Sequence, residues 1–423
     1  MKYRSGLWLL CVSQAIVDGG MALSYPFFAL YLHRDRGVSL SLVGAFLSAI
    51  MVLSAASQLI GGEYSDVLGR RRVMLYSLWG RTLAALAMSA AVLWRWPLGG
   101  LILLLFLSSL GANGFAPAAR GWVADHCPSH ERAQAYGLLR IATNLGWAIG
   151  PAIGGLLAQR SYALLFLMSA LAGGLCAALV TIGLGDHPRL ARRSAIDFGA
   201  LWRVRRDKRF LRFCAGSLVI AAVMAQLVVS LSIHSVQYAG LNERQVGMLF
   251  SLNGAMVVLL QYPLGLWLGR FPLTTALGVG SMLYAAGYLW AGLARHLYPM
   301  ACAVAIVTFG EIALSPALHT LAANLAPVEL KGRYLGFWGL FHQVGAALGP
   351  LGGGAGLQYL SPHWVGAPWV LVGCAALLAA GIFRSLVPQL SPEEQGLPRH
   401  RGTGAVAVGI ELAECGPMAN GKE

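Results

Sequence analysis

Asp18, Arg81 and Glu311 lie inside stretches of the chain that are otherwise apolar. An ionised side chain in hydrocarbon costs several kcal/mol, so residues of this kind are kept for protons, ions, substrates or for pairing with one another. Asp18 stands about 11 residues into its run, which at 1.5 Å per residue is ~16 Å, half of a ~30 Å hydrocarbon core. Glu311 stands about 12 residues into another run, at a matching depth. Arg81 stands roughly 8 residues from one end of a third. A carboxylate in a water-poor cavity can carry a proton and can attract a cation. Competition between the two for one carboxylate is the simplest exchange chemistry. Asp18 and Glu311 are therefore the candidate proton or cation sites, and Arg81 is a structural or tuning partner for Asp18.

The elements that must position these residues are membrane helices. The chain has 423 residues, 57% hydrophobic and 11% charged, against roughly 25% charged in a soluble domain. Apolar runs of about 20 residues recur between short polar gaps, too long and too uniformly apolar for barrel strands. An all-α integral membrane protein with about twelve spans is expected, near 7–30, 41–61, 73–94, 100–124, 135–158, 162–185, 213–236, 245–267, 274–294, 299–322, 334–357 and 367–386. The net charge of +14 is placed by topology and does not call for nucleic acid. Nine cations, among them Arg192, Arg193, Arg205 and Arg206, fall in the gap between the sixth and seventh spans. Basic loops face the cytoplasm. Setting that gap inside also places Lys2, Arg4, Arg70, Arg71, Arg72, Lys331, Arg333 and both termini inside, and leaves Arg34, Arg36, Arg95, Arg160, Arg244 and Arg295 outside. Seven cysteines form no C-x-x-C pair, so neither a metal site nor a disulfide framework is expected. The chain carries no G-x-x-x-x-G-K-[ST] loop, G-x-S-x-G or H-E-x-x-H, so no cofactor and no enzymatic constellation is expected.

The chain also repeats itself. Gly137, Gly146, Gly150, Pro151, Gly154 and Gly155 match Gly336, Gly345, Gly349, Pro350, Gly353 and Gly354 at a constant offset of 199 residues. Pro128 and Pro327, Gly111 and Gly310, and Pro117 and Pro316 match at the same offset. Two homologous six-span bundles in parallel orientation follow, at 1–185 and 213–386, joined by a basic linker at 186–212 and followed by a tail at 387–423 whose composition reads as disordered. Parallel repeats of this kind are a transporter architecture with a site near the midplane between the halves.

The stretch GGEYSDVLGRRRV, residues 61–73, places Gly62, Asp66, Gly69, Arg70 and Arg71 as G-x-x-x-D-x-x-G-R-R at the inner end of span 2. This resembles the loop 2–3 motif of the major facilitator superfamily, with Tyr64 and Val67 departing from its pattern. The resemblance covers nearly the whole chain in span number, repeat and orientation. It implies that Asp66 latches onto the start of span 11, near Arg333 to Phe337, in the outward-open state. The triplet also reads simply as a positive-inside anchor. Gly146, Gly150, Pro151, Gly154 and Gly155 form G-x-x-x-G-P-x-x-G-G, which resembles the antiporter motif of the drug–proton branch. Plain packing of small residues accounts for the same pattern. The outer part of span 4, LILLLFLSSLGANG, lacks the arginine that the drug antiporters carry there.

The family implies a cavity lined by spans 1, 4, 7 and 10, in which Asp18 and Glu311 face each other across the halves. Asn113 and Gln226, near the middle of spans 4 and 7, are cavity candidates, with Phe115, Phe309, Trp338 and His342 as further lining. The expected function is proton-coupled efflux of amphiphilic or cationic small molecules by alternating access. The alternatives are a proton-coupled symporter or facilitator of a specific metabolite, and a transport-inactive sensor or scaffold. The expected partners are substrate, protons and membrane lipid, and the family expectation is a monomer in the inner membrane.

Overall fold

In a computed structural model the described residues are 2–111, 113–127, 132–185, 206–327 and 331–397. Within the helices the side chains of Gly62, Glu63, Asp66 and Arg333, among others, lie outside the described set. The described chain is all-helical. Its first half holds α1 (Lys2–Leu30), α2 (Leu40–Leu68), α3 (Arg70–Leu93), α4 (Leu98–Gly111), α5 (Phe115–His126), α6 (Arg132–Ala158) and α7 (Tyr162–Gly183). The second half holds α8 (Lys208–Met224), α9 (Ser230–Gln237), α10 (Glu243–Leu268), α11 (Leu273–Leu293), α12 (Leu297–Asn324), α13 (Lys331–Tyr359) and α14 (Ala367–Arg384).

Among the described residues nine helical segments are long and apolar enough to cross a membrane. Helices α3, the broken pair α4–α5, and α13 occupy the other three expected positions. Length and apolarity single out nine spans, so the count of twelve rests on this placement. The ends follow local chemistry. Gly69 has φ +96°, a conformation that a Cβ penalises, and it turns α2 directly into α3. Asn242 and Gln245 form a reciprocal capping box at the start of α10. The Asp207 carboxylate accepts from the amides of Arg209 and Phe210 and starts α8 within the expected linker. Spans 4 and 7 are interrupted near the middle, at 113–114 and 225–229.

Packing follows the repeat. In the first half α1 packs on α6 and α7, and α3 packs on α7 and α4. In the second half α8 packs on α13 and α14, and α11 packs on α14 and α12. These are the same pairings six spans later. The halves meet through α2 with α13 and α6 with α10, one pairing the image of the other. Large apolar side chains such as Leu83, Ile182 and Leu259 are exposed, as on a surface that faces lipid.

Residues 186–205 of the linker and 398–423 of the tail lie outside the described residues. The described tail, 387–397, departs from the expected disorder. Gln395 is buried, its backbone carbonyl accepts from the Leu273 amide, and its side chain accepts from Thr274. Those bonds satisfy the start of α11, which explains why a segment of polar composition is ordered.

Candidate functional site

The two halves close on one another at one face, here the far face, opposite the turn at Gly69. A Cβ on Gly44 would strike the Pro350 carbonyl, and one on Gly354 the Leu40 carbonyl. Gly155 abuts the Glu243 backbone, and Gly247 abuts Pro151. Polar links join the same ends: Arg34 pairs with Glu243 at 2.7 Å, and the Ser41 amide donates to Gln358 Oε1 at 2.8 Å. One apolar core runs across this face, with Phe27, Leu40 and Leu47 joined to Leu231, Val246 and Phe250. At the near face a separate core of Leu7, Met74, Phe115 and Trp122 belongs to the first half. There a Cβ on Gly137, Gly336 or Gly339 would meet nothing within 4 Å. The described halves are thus sealed at the far face.

Between them lies a cavity of about 360 Å³. Its polar wall includes Gln14, Asp18, Gln58, Arg81, Asn113 and Gln343. Its apolar wall includes Met21, Tyr25, Met51, Phe115 and Trp147. Both helix interruptions reach it, through Asn113, Phe115 and Ala116 on one side and Ala225, Val228 and Val229 on the other. Broken backbone at membrane depth is tolerated where it lines a cavity. Asn113 donates to the Ser109 carbonyl at 2.8 Å and satisfies one acceptor freed by the break.

Asp18 accepts from Gln14 Nε2 at 2.8 Å. Arg81 shares the cavity wall but donates to the Val17 carbonyl at 3.4 Å, so Gln14 and not Arg81 is the hydrogen-bond partner of Asp18. The glycines of α6 set the position of this turn. A Cβ on Gly146 would lie 2.6 Å from both the Ala15 carbonyl oxygen and the Gly19 nitrogen, and one on Gly150 would lie 2.5 Å from the Gly19 carbonyl oxygen. Gly154 continues the contact to Leu23, while Pro151 and Gly155 face α10. Small residues let two backbones touch, and here the backbone touched is the one that bears Asp18.

Several expected cavity residues stand elsewhere. Glu311 does not face Asp18: it accepts from Asn253 Nδ2 at 2.9 Å, which also donates to Thr308, inside the second half. Gln226 is buried; it donates to the Ala222 and Gly349 carbonyls and accepts from Ser230, tying the broken seventh span to α13. Trp338 is buried and donates to Ser217 Oγ at 2.7 Å, and His342 Nδ1 lies 3.3 Å from the same hydroxyl. Ser217 stands 199 positions after Asp18, so the second half fills the equivalent place with a packed neutral network. Phe309 is 41% exposed and is not among the residues lining the cavity.

The described contacts of the loop motif lie within the first half. Arg70 pairs with Asp125 at 2.9 Å and donates to Ser65, and Arg71 donates to the Thr181 carbonyl at 2.8 Å. The expected contact of Asp66 with the start of α13 falls on side chains outside the described residues. Sequence reading passed over Arg140, which donates to Ser315 Oγ at 2.7 Å across the halves, one helical turn from Glu311. The signal was present, because Arg140 lies inside the run 135–158, where the rule applied to Arg81 holds equally. Trp147, Met21 and Met51 gave no such signal, since apolar residues are ordinary in a span.

Two bundles related by a repeat, broken helices and a sealed far face are the features of a membrane transport fold. The Major Facilitator Superfamily profile matches residues 10–350 and again 213–413, and the chain belongs to that superfamily of transport proteins. It is 26% identical over 394 residues to the MFS-type transporter YdeE of Escherichia coli K12, covering 90% of this chain and 97% of that one. It is 27% identical over 395 residues to the multidrug resistance protein MdtH of Cronobacter sakazakii, covering 91% and 94%. A solved POT family transporter in complex with 5-aminolevulinic acid matches with a TM-score of 0.79 at 15% identity, over 91% of this chain and 96% of that one. A bacterial homolog of the human lysosomal transporter Spinster, inward-facing and unoccupied, matches with a TM-score of 0.74 at 15% identity, over 94% and 99%. The structural likenesses establish the shared fold.

Proposed function

We propose that the protein is a proton-coupled exporter of amphiphilic or cationic small molecules, in which Asp18 exchanges protons for substrate. The observation that carries this reading is Asp18 on the wall of a largely apolar cavity between the halves. Its carboxylate suits a cation, while Met21, Met51, Phe115 and Trp147 suit a lipophilic body. Met side chains adapt to varied shapes, and the MdtH relatives are named multidrug resistance proteins. The distribution of cations supports a near face in the cytoplasm, both termini there, and residence in the inner membrane. Two six-helix bundles at 1–185 and 213–386, acting as one monomer, fit the packing pairs.

A second reading, symport of a specific metabolite, is favoured by Arg81 on the same wall, which can hold an anionic group. Inside-out vesicles with an acidic lumen and a pH-gradient dye separate the two. Proton release on adding lipophilic cations, absent in Asp18→Asn vesicles, supports exchange. No release with any such cation, together with gradient-dependent uptake into intact cells, overturns export.

A further inference from the structure

Cations are sparse at the face that basic loops avoid, yet three arginines of the first half converge there on one crevice of about 790 Å³. Arg36 comes from the turn between α1 and α2, Arg95 from the turn between α3 and α4, and Arg160 from the turn between α6 and α7. Asp35 is the acidic residue of the lining, so guanidinium groups outnumber carboxylates. Arg36 is already oriented: it donates to the Trp96 carbonyl at 2.5 Å and to the Tyr31 hydroxyl at 3.3 Å. The guanidinium groups of Arg95 and Arg160 donate to no described residue, and Arg95 lies within electrostatic reach of Asp35. Arg95 also has φ +50°, the one positive φ among the described non-glycine residues, and strain of this kind gathers at binding sites. The corresponding turns of the second half lack such a convergence: Arg295 donates to the Gly292 and Ala294 carbonyls of its own chain segment. Beside the crevice, Leu93, Trp94 and Trp96 are exposed, in the manner of the aromatic belt at headgroup level.

We infer that this crevice binds a phosphate group, and that its occupant is the headgroup of an anionic phospholipid. Guanidinium forks match phosphate oxygens with paired hydrogen bonds. A site at headgroup depth, flanked by tryptophans and an exposed leucine, meets that phosphate already attached to acyl chains. The site is separate from the cavity, because the two share no lining residue.

The test uses the purified full-length protein in detergent, with lipid adducts counted by native mass spectrometry and thermal unfolding followed in parallel. Three probes are titrated: dioleoylphosphatidylglycerol, dioleoylglycerol and inorganic phosphate. Phosphatidylglycerol should bind and raise the unfolding temperature, and dioleoylglycerol should do neither. R95Q/R160Q should weaken phosphatidylglycerol by about 30-fold, the product of two surface charge contacts. R244Q removes one charge from the same face outside the crevice and should change affinity by less than about twofold. Unfolding of R95Q/R160Q at the wild-type temperature without lipid shows that the variant is folded; if it is not, R160Q alone is read in the same titration. Equal affinity of wild type and the arginine variants, or an equal loss in R244Q, overturns the site. Binding of inorganic phosphate as tight as that of the lipid, and lost in the same variants, overturns the lipid as occupant.

Discussion

The turn that carries Asp18 lies directly against Gly146: a Cβ on Gly146 would come within 3.2 Å of the Asp18 carbonyl carbon. The acid that faces the cavity is therefore positioned by the absence of a side chain on another helix. Gly345, 199 residues on from Gly146, likewise abuts the backbone of Leu218, which is 199 residues on from Gly19, the neighbour of Asp18.

Gly146→Ala should lower stability by about 1–3 kcal/mol through overpacking and should reduce transport by displacing Asp18. Gly336→Ala, where a Cβ meets open space, should be neutral or stabilising by up to ~1 kcal/mol. Thermal unfolding in detergent checks the pair, and equal effects would refute the packing account.

Asp18 and Glu311 should separate in function. Asp18 lines the cavity and Glu311 does not, so Asp18→Asn should weaken substrate binding by tenfold or more, roughly the worth of one charge-assisted contact. Glu311→Gln should leave substrate affinity within about twofold while altering proton release. Equilibrium binding of a fluorescent cation, read beside vesicle proton flux, measures both. A matching loss of affinity in the two variants would return Glu311 to the cavity.

The Arg34–Glu243 pair joins the halves at the far face with side chains 51% and 14% exposed. A pair this open contributes about 0.2–1 kcal/mol, enough to shift a conformational population by up to about fivefold. Glu243→Gln should raise the labelling rate of a cysteine placed at Ser41 by up to that factor, and R34E/E243R should restore it in part. An unchanged rate in all variants would show that the apolar core alone holds this face shut.

Gly69→Ala isolates backbone strain, since a Cβ there meets nothing within 4 Å but must adopt φ +96°. A loss of about 1–2 kcal/mol is expected, read as a lower unfolding temperature. An unaffected temperature would mean that the turn relaxes.

Much of the architecture was legible in the chain. Runs of hydrocarbon length require helices, since lipid offers backbone groups no partners. The offset of 199 residues between Gly146 and Gly345 announced two related bundles, and the packing pairs repeat accordingly. The cost of burying a charge marked Asp18 and Arg81, and both line the cavity. The same rule marked Glu311 without saying which way it points. Depth along a helix follows from residue number, but facing depends on how the helix is rotated against its neighbours. Gln226, Trp338 and His342 were thus at plausible depths and on other faces. The helix break in span 7 was equally hidden, because its residues give no turn signal, whereas Gly111, Asn113 and Gly114 marked the break in span 4.

Sequence by itself determined that this chain crosses a membrane as paired bundles, which glycines can sit in close contact, and which charges need a reason. Those properties are one-dimensional: they depend on hydrophobic length, periodicity and repeat. Tertiary structure decided that Asp18 and Arg81 share a wall while Glu311 stands apart, that Arg140 reaches across to Ser315, and that Arg36, Arg95 and Arg160 meet from three separate turns. Such juxtapositions arise from the rotation and crossing of packed helices, which contacts distant in sequence set together.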